Sequence, residues 1–282
     1  MEGKLYLCAT PIGNLEDMTF RAVRILGEVD LIAAEDTRNS IKLLNHFNIQ
    51  KPMTSYHEFN KYDKARILVE KMKEGRQIAL ITDAGMPGIS DPGEELVRQC
   101  HEAGIPVTAL PGACACVTAL ALSGLPARRF CFEAFLPADK KQRQAVLKEL
   151  KTETRTILFY EAPHRLVRTL EILLGELGNR RATVCRELTK KHETVFVTTL
   201  EEALRQYQAS DPRGECVIVV EGRSQQEMEA EKQAEWQEME LEEHMKLYLD
   251  SGHDRKEAMR LVAKDRGISK REVYQQLLTG EG

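Results

Sequence analysis

The chain has no long hydrophobic run: no apolar stretch in its 282 residues approaches the roughly 20 residues that a membrane-spanning helix needs. It carries little net charge, formally -4 at pH 7. That excludes a protein coated in positive charge, although a local basic patch still suffices for nucleic acid. Neither G-x-G-x-x-G nor a P-loop ending in GKS or GKT occurs, which disfavours a Rossmann dinucleotide fold and a P-loop ATPase. The seven cysteines are odd in number and sit mostly in apolar runs (Cys8, Cys131, Cys185, Cys216), as reduced, buried thiols do. Cys114 and Cys116 are one residue apart, poor spacing for zinc, and no second pair completes a site, so no metal is expected. The N-terminal residues pass directly into a strand pattern, so no signal peptide is expected and the expected location is the cytoplasm. No internal repeat is found.

At 42% hydrophobic and 30% charged residues, the chain has the composition of a globular protein with a sizeable core. Strand-like and helix-like segments alternate from Leu5 to Leu110, which predicts an α/β fold with a largely parallel sheet. Strands are expected at Leu5–Ala9, Leu31–Ala34, Ile78–Ile81 and Pro106–Leu110, with helices between them. Beyond Gly112 strand follows strand more often (Thr156–Tyr160, Ala182–Cys185, Val195–Thr198, Cys216–Val220), which predicts a mixed or antiparallel second sheet. The expected organisation is an N-terminal α/β domain (1–112), a second α/β domain (113–224), an acidic helical linker (225–244) and a helical extension (245–282). Residues 227–243 hold eight glutamates and one lysine, the composition of a solvated helix or linker. In the extension, Ala263, Gly267 and Val273 have helix-turn-helix spacing, with Arg266 and Gln276 where apolar residues are preferred. A helical cap accounts for this pattern equally well.

The most informative stretch is LITDAGMPGISDPG, Leu80 to Gly93. An apolar run ends near Asp83, then Gly85, Pro87, Gly88, Pro92 and Gly93 surround Asp91. Glycines let backbone approach a ligand, and prolines fix the path of a loop. At the end of a buried strand this is how an α/β protein builds a nucleoside pocket. A tight surface turn is the plainer account, but it does not need so many special residues. CATPIGN (8–14) places Pro11 and Gly13 in the same way after the first strand. In AAEDTRNS (33–40), Glu35 and Asp36 can position a hydroxyl and Arg38 a phosphate; equally, Asp36 or Thr37 can cap a helix with Arg38 as an ion-pair partner. In SYHEFNK (55–61), Tyr56 can stack on a nucleobase and His57 can act as a base, or the histidine is structural. ALPGACAC (109–116) offers small side chains and first-turn N–H groups, features that also suit close helix packing. FYEAPHRL (159–166) delivers Tyr160, Glu161, His164 and Arg165. CRELTKKHE (185–193) delivers Arg186, Glu187, Lys190 and Lys191; for both, a surface ion-pair network is the competing account.

Taken in order, these motifs resemble the bacterial ribosomal RNA small subunit methyltransferase I family, in the tetrapyrrole-methylase-like class of S-adenosylmethionine-dependent methyltransferases. ATPIGNLED, AAEDTR, SYHE, DAGMPGISDPG, FYEAPHR and RELTK carry the likeness across Leu5–Gly222, and the tail is similar to the C-terminal extension of many members. Met86 stands where threonine is expected, and Cys114 where serine is commoner, which removes a hydroxyl contact but no backbone contact. The resemblance implies two α/β domains with a cofactor in the cleft between them, and a homodimer. It places S-adenosylmethionine against Pro11, Asp83, Ala84, Gly85, Gly88, Ile89, Ser90, Cys114, Ala115, Tyr160 and Glu161. It also implies 2'-O-methylation of a cytidine ribose in the decoding centre of small-subunit (16S) ribosomal RNA. For that reaction Asp36, His57, Glu58 and Glu187 are the candidate bases. Arg38, Arg165, Lys190, Lys270 and Arg271 are the expected phosphate contacts. Two rivals stand: a tetrapyrrole or corrinoid precursor methyltransferase on the same fold, and a non-enzymatic nucleic-acid-binding regulator that uses the tail helices.

Overall fold

The computed structural model describes residues 3–210 and 212–279, which divide into two compact units. Of these, the first comprises residues 3–151, 155–210 and 212–221, and the second residues 152–154 and 222–279.

The first unit opens with five strands: β1 (Lys4–Cys8), β2 (Leu31–Ala34), β3 (Met53–Ser55), β4 (Gln77–Ile81) and β5 (Val107–Leu110). They form one sheet in the order β3-β2-β4-β1-β5, parallel throughout. Parallel neighbours need crossovers, and α1 (Phe20–Glu28), α2 (Thr37–His46), α3 (Lys61–Lys73) and α4 (Gly93–Glu102) supply them. In β4, Ile78 and Leu80 enter one core cluster, and Ala79 and Ile81 the other. A strand buried on both faces reads as an unbroken apolar run. Strand β3 was not expected, because three half-buried residues carry no period.

A second sheet follows in the same unit, built from β6 (Phe130–Phe132), β7 (Thr156–Glu161), β8 (Arg181–Arg186), β9 (Thr194–Thr199) and β10 (Cys216–Val220). Its order is β6-β7-β10-β8-β9, with β6 parallel to β7 and every other pairing antiparallel, the mixed sheet expected. Helices α6 (Lys140–Leu150), α7 (Leu166–Leu177) and α8 (Leu200–Gln208) bury one face. Helix α5 (Ala115–Ser123) buries the other, against Leu158, Val217 and Val219. The chain turns into α5 at Gly112, where an added Cβ would lie 2.6 Å from the Cβ of Ala9. Neither atom can swing away, because each is fixed to backbone. Gly112→Ala is therefore expected to cost about 1–3 kcal/mol of stability, read as a lower urea midpoint with an unchanged m-value; an unchanged midpoint would contradict this close packing.

The second unit consists of α9 (Gln225–Glu238), α10 (Leu241–Asp250), α11 (Arg255–Arg266) and α12 (Lys270–Thr279). The acidic segment forms α9 and enters α10, and α9 packs against α11. Gly267 takes the left-handed conformation, φ +66°, between α11 and α12, as the spacing predicted. Arg266 is buried in this small core. Its guanidinium donates to Nδ1 of His244 and to the Met239 carbonyl, which explains a charge at an apolar position. Among the described residues, no helix is long and apolar enough to cross a membrane.

Candidate active site

All five strands of the first sheet end on a motif singled out in the sequence. CATPIGN follows β1, AAEDTR follows the first residues of β2, SYHE overlaps the end of β3, the glycine-rich loop follows β4, and PGACAC follows β5. Because the strands are parallel, their carboxyl ends share one edge, where open α/β sheets bind ligands. The β1 and β4 loops are stitched together. The Thr10 amide donates to Gly85 O (2.9 Å), the Gly85 amide to Thr10 O (3.1 Å), and the Thr10 hydroxyl to Thr82 O (3.1 Å). Gly85, at φ +88°, supplies the conformation this bridge needs. Beyond it, the Asp91 carboxylate accepts from three backbone amides: Gly88 (2.8 Å), Ile89 (3.1 Å) and Gly93 (2.7 Å).

A cavity of about 340 Å³ opens beside these loops. Of the residues expected against a cofactor, Ala84, Gly85, Ile89, Cys114, Ala115, Tyr160 and Glu161 line it. Pro11, Asp83, Gly88 and Ser90 are outside its wall. Ile12, Met86, Phe135, Ala162, Pro163, Leu188, Glu215, Cys216 and Val217 complete the lining and were not expected against the cofactor. Most of these are apolar and look like ordinary core in a sequence. Tyr160 packs edge-on against Phe132 and Phe135, and its hydroxyl accepts from the Cys116 amide (3.2 Å). Burial pushes its acidity well below that of a free phenol. Glu161 is engaged inward, with its carboxylate accepting from the Ala162 amide (2.8 Å) and the Thr169 hydroxyl (2.5 Å). Among the described residues, the wall holds no lysine, arginine or histidine, only the acids Glu161 and Glu215. Such a wall disfavours phosphorylated nucleotides. It suits an uncharged or cationic organic molecule of cofactor size, since ligand pockets span about 300–1,000 Å³. A sulfonium nucleoside such as S-adenosylmethionine fits that chemistry.

A second, polar depression is lined by Glu35, Asp36, Thr37, Arg38, Ser55, His57, Glu58 and Phe59. The Asp83 amide donates to Glu35 (3.4 Å), and Asp83 in turn accepts from the Asp36 amide (3.3 Å). Asp83 immediately precedes Ala84 of the first cavity, so the two depressions share one turn. Three candidate bases are held by local ion pairs. Asp36 caps α2 and accepts from the Arg38 guanidinium (2.7 Å), which lowers its pKa to about 2. Glu58 pairs with Lys61 (2.6 Å). Glu187 pairs with Lys190 (2.9 Å), which holds its carboxyl below the usual range. The lowered pKa makes Asp36 and Glu187 weak proton acceptors.

His57 Nε2 accepts from the side-chain amide of Asn60 (3.3 Å), whose oxygen accepts from the His57 backbone amide (2.9 Å); the ring proton then sits on Nδ1, which is buried with no hydrogen-bond partner. Glu35, not among the predicted bases, has its pKa raised, first by burial and then by repulsion from Asp83, Asp91 and Asp36.

Tyr56 corrects an expectation. At 1% exposure its ring is core, and its hydroxyl donates to Pro92 O (2.9 Å), so no base can stack on it. Its neighbour Phe59, edge-on to His57, has the exposed ring, at 97% exposure. Arg165 is likewise turned inward, to Leu136 O (3.0 Å) and Glu161 (3.4 Å). Lys190 bridges Glu187 and Glu215. Arg38 is largely exposed beyond its pairing with Asp36. Lys270 and Arg271 begin α12 in the second unit. Among the described residues, no group of three or more His, Cys, Asp and Glu is arranged to hold a metal.

Residues 4–204 match the model of the Tetrapyrrole (Corrin/Porphyrin) Methylases. The chain is 50% identical, over 97% of its length and 94% of the relative's, to the ribosomal RNA small subunit methyltransferase I of Halalkalibacterium halodurans. It is 53% identical to the protein of the same name from Haemophilus influenzae, covering 79% of this chain and 80% of that one. Among solved structures it resembles uroporphyrin-III C-methyl transferase from Thermus thermophilus, complexed with S-adenyl homocysteine. That match has a TM-score of 0.54 at 20% identity and covers 78% of this chain and 97% of that one, a likeness of fold alone. The strand-end loops, the two sheets and these matches agree: the chain belongs to the tetrapyrrole methylase family, among the relatives named ribosomal RNA small subunit methyltransferase I.

Proposed function

We propose that this chain is an S-adenosylmethionine-dependent methyltransferase of small-subunit ribosomal RNA, acting on the 2'-hydroxyl of a cytidine ribose in the decoding centre. One observation carries the reading: a largely apolar cavity without basic residues and a polar depression with a raised-pKa carboxylate are linked through one turn, in which Ala84 lines the first and Asp83 is hydrogen-bonded to Glu35 and Asp36 of the second. The names of the relatives supply the substrate class. A cytoplasmic location follows from that substrate.

Ala84, Gly85, Ile89, Cys114, Ala115 and Tyr160 hold the cofactor, largely through backbone and apolar contact, while Pro11, Asp83, Gly88 and Ser90 shape the loops behind them. When bound, S-adenosylmethionine supplies an electrophilic methyl group. Glu35 accepts the proton of the ribose hydroxyl on its carboxylate, for which a raised pKa is suited near neutral pH. His57, Asp36 and Glu58 form the rim around it. Phe59 stacks on a base flanking the target, and Arg38 together with Lys270 and Arg271 of the tail meets phosphates. The protein acts as a homodimer. Val117 and Leu122 of α5 and Val197 of β9, elements that pack together, leave apolar side chains exposed in support of that state.

Titration of the full chain with S-adenosylmethionine, followed by labelled methyl transfer to small-subunit ribosomal RNA or to a uroporphyrinogen, tests this reading. Saturable binding with transfer to RNA is expected; transfer to the tetrapyrrole alone would favour the rival enzyme. Phe59→Ala is expected to weaken RNA binding by about 1–3 kcal/mol, with unchanged affinity for S-adenosylmethionine. Unchanged RNA affinity would remove Phe59 from the interface.

A further inference from the structure

Seven free cysteines are present, and Cys114 and Cys116 are in thiol–thiol contact. Their sulfurs are 3.5 Å apart at the start of α5. A disulfide needs about 2.05 Å between sulfurs, so rotation of one side chain together with a small shift of this turn closes the gap. Cys114 is partly exposed and its side chain lines the cavity, whereas Cys116 is buried behind it. The pair therefore has one thiol open to small molecules and one that is shielded, as a reacting and a resolving cysteine require.

The electrostatics agree with that division. The Cys114 sulfur lies within hydrogen-bond distance of the Cys116 thiol, and the backbone amides of Val117 and Cys116 add to that contact. Together they hold Cys114 below the ordinary thiol range, while Cys116 is raised by the same contact and by burial. A thiolate at a helix N-terminus is the reactive form.

We propose that Cys114 and Cys116 form a peroxide-sensitive dithiol in the wall of this cavity, whose oxidation to a disulfide weakens cofactor binding; the second clause rests on the cofactor reading above. In the first step the Cys114 thiolate attacks one peroxide oxygen, the O–O bond breaks, and hydroxide leaves, giving a sulfenic acid. In the second step the Cys116 sulfur attacks the Cys114 sulfur, the S–O bond breaks, and the hydroxyl leaves as water with the Cys116 proton. The first hydroxide becomes water on protonation from solvent. Two thiols and one hydrogen peroxide thus become one disulfide and two waters, with the sulfurs oxidised by two electrons and the peroxide reduced by two. In a reducing cytosol such a bond is transient, which is the form regulatory disulfides take there.

Peptide mass mapping of the full chain after hydrogen peroxide tests the proposal. The expected product has lost two hydrogens within the peptide that contains Cys114 and Cys116, is restored by dithiothreitol, and binds S-adenosylmethionine about ten-fold or more weakly until reduced. In Cys116→Ser, Cys114 is expected to be trapped as a sulfenic acid by dimedone. Cys114 that stays reduced while other cysteines oxidise would overturn the proposal, and so would a Cys114–Cys116 disulfide with unaltered affinity. Complete absence of S-adenosylmethionine binding by the reduced protein would instead overturn the cofactor reading. The disulfide by mass would then stand as the supported part.

Discussion

Glu35→Gln is expected to slow methyl transfer by about 10²- to 10⁴-fold while leaving the protein at least as stable as the wild type. The two halves of this expectation have one cause. Glu35 follows β2 at a half-buried site, near Asp83, Asp91 and Asp36, and burial followed by their repulsion raises its pKa above 4.5. A carboxyl whose folded pKa lies above its unfolded value binds its proton more tightly in the native state. Its contribution to stability is complete below the unfolded value and is lost as pH rises through the folded one. At neutral pH the ionised group is therefore a burden on the fold, which glutamine relieves. Ionisation is also what a proton acceptor requires. The wild-type kcat/KM should rise with pH through the Glu35 pKa and level off, and the glutamine variant should lack this limb. Single-turnover rates with saturating S-adenosylmethionine, set beside urea unfolding at the same pH, measure both halves. Wild-type rates in the variant would remove Glu35 from this role and leave the proton to solvent. Asp36 has the opposite sign: its pKa is lowered to about 2 by Arg38, so what it contributes is present above pH 3.8 and is lost as pH falls through about 2.

Asp91→Ala is expected to weaken S-adenosylmethionine binding at least ten-fold, about 1.4 kcal/mol or more, although Asp91 does not line the cavity. One carboxylate accepts from the amides of Gly88, Ile89 and Gly93 and so ties the loop together at its centre. The loop runs through positive φ at Gly85, Gly88 and Ser90, conformations that the chain does not hold unaided. Gly93 is packed so closely that an added Cβ would lie 2.7 Å from Asp91 Oδ1 and 2.8 Å from Gly88 N. Hydrogen bonds to charged acceptors contribute about 1.5–3 kcal/mol each, and partial exposure lets water recover some of that. The loss thus appears as a loosened Ile89 wall rather than as global unfolding. Calorimetry of Asp91→Ala and Asp91→Asn should rank them wild type, Asn, Ala. Equal affinities would show that the loop needs no carboxylate at its centre.

Much of this site was legible because its signals are local in sequence. Glycine and proline after an apolar run mark a strand end directly, and parallel pairing then gathers five such ends on one edge. The ion pairs Asp36–Arg38, Glu58–Lys61 and Glu187–Lys190 are also local, spaced by two or three residues. That spacing was the available warning that these carboxylates are occupied. What escaped was set by distant contact. Glu35 owes its raised pKa partly to Asp83 and Asp91, which only the adjacency of β2 and β4 brings near. Tyr56 and Phe59 are equally plausible stacking residues as letters. Tyr56 is core because it follows the edge strand β3 and reaches Pro92, a contact between residues 36 apart. Leu188 and Val217 of the cavity wall belong to the apolar cluster beneath α5, and nothing in their sequence separates wall from core.

The ribose-methylation map of small-subunit ribosomal RNA, compared by mass spectrometry between cells with and without this gene, addresses the proposed activity most directly. The expected result is the loss of one 2'-O-methylcytidine in the decoding centre, restored by the wild-type gene and not by the one encoding Glu35→Gln. A map unchanged by loss of the gene would contradict it.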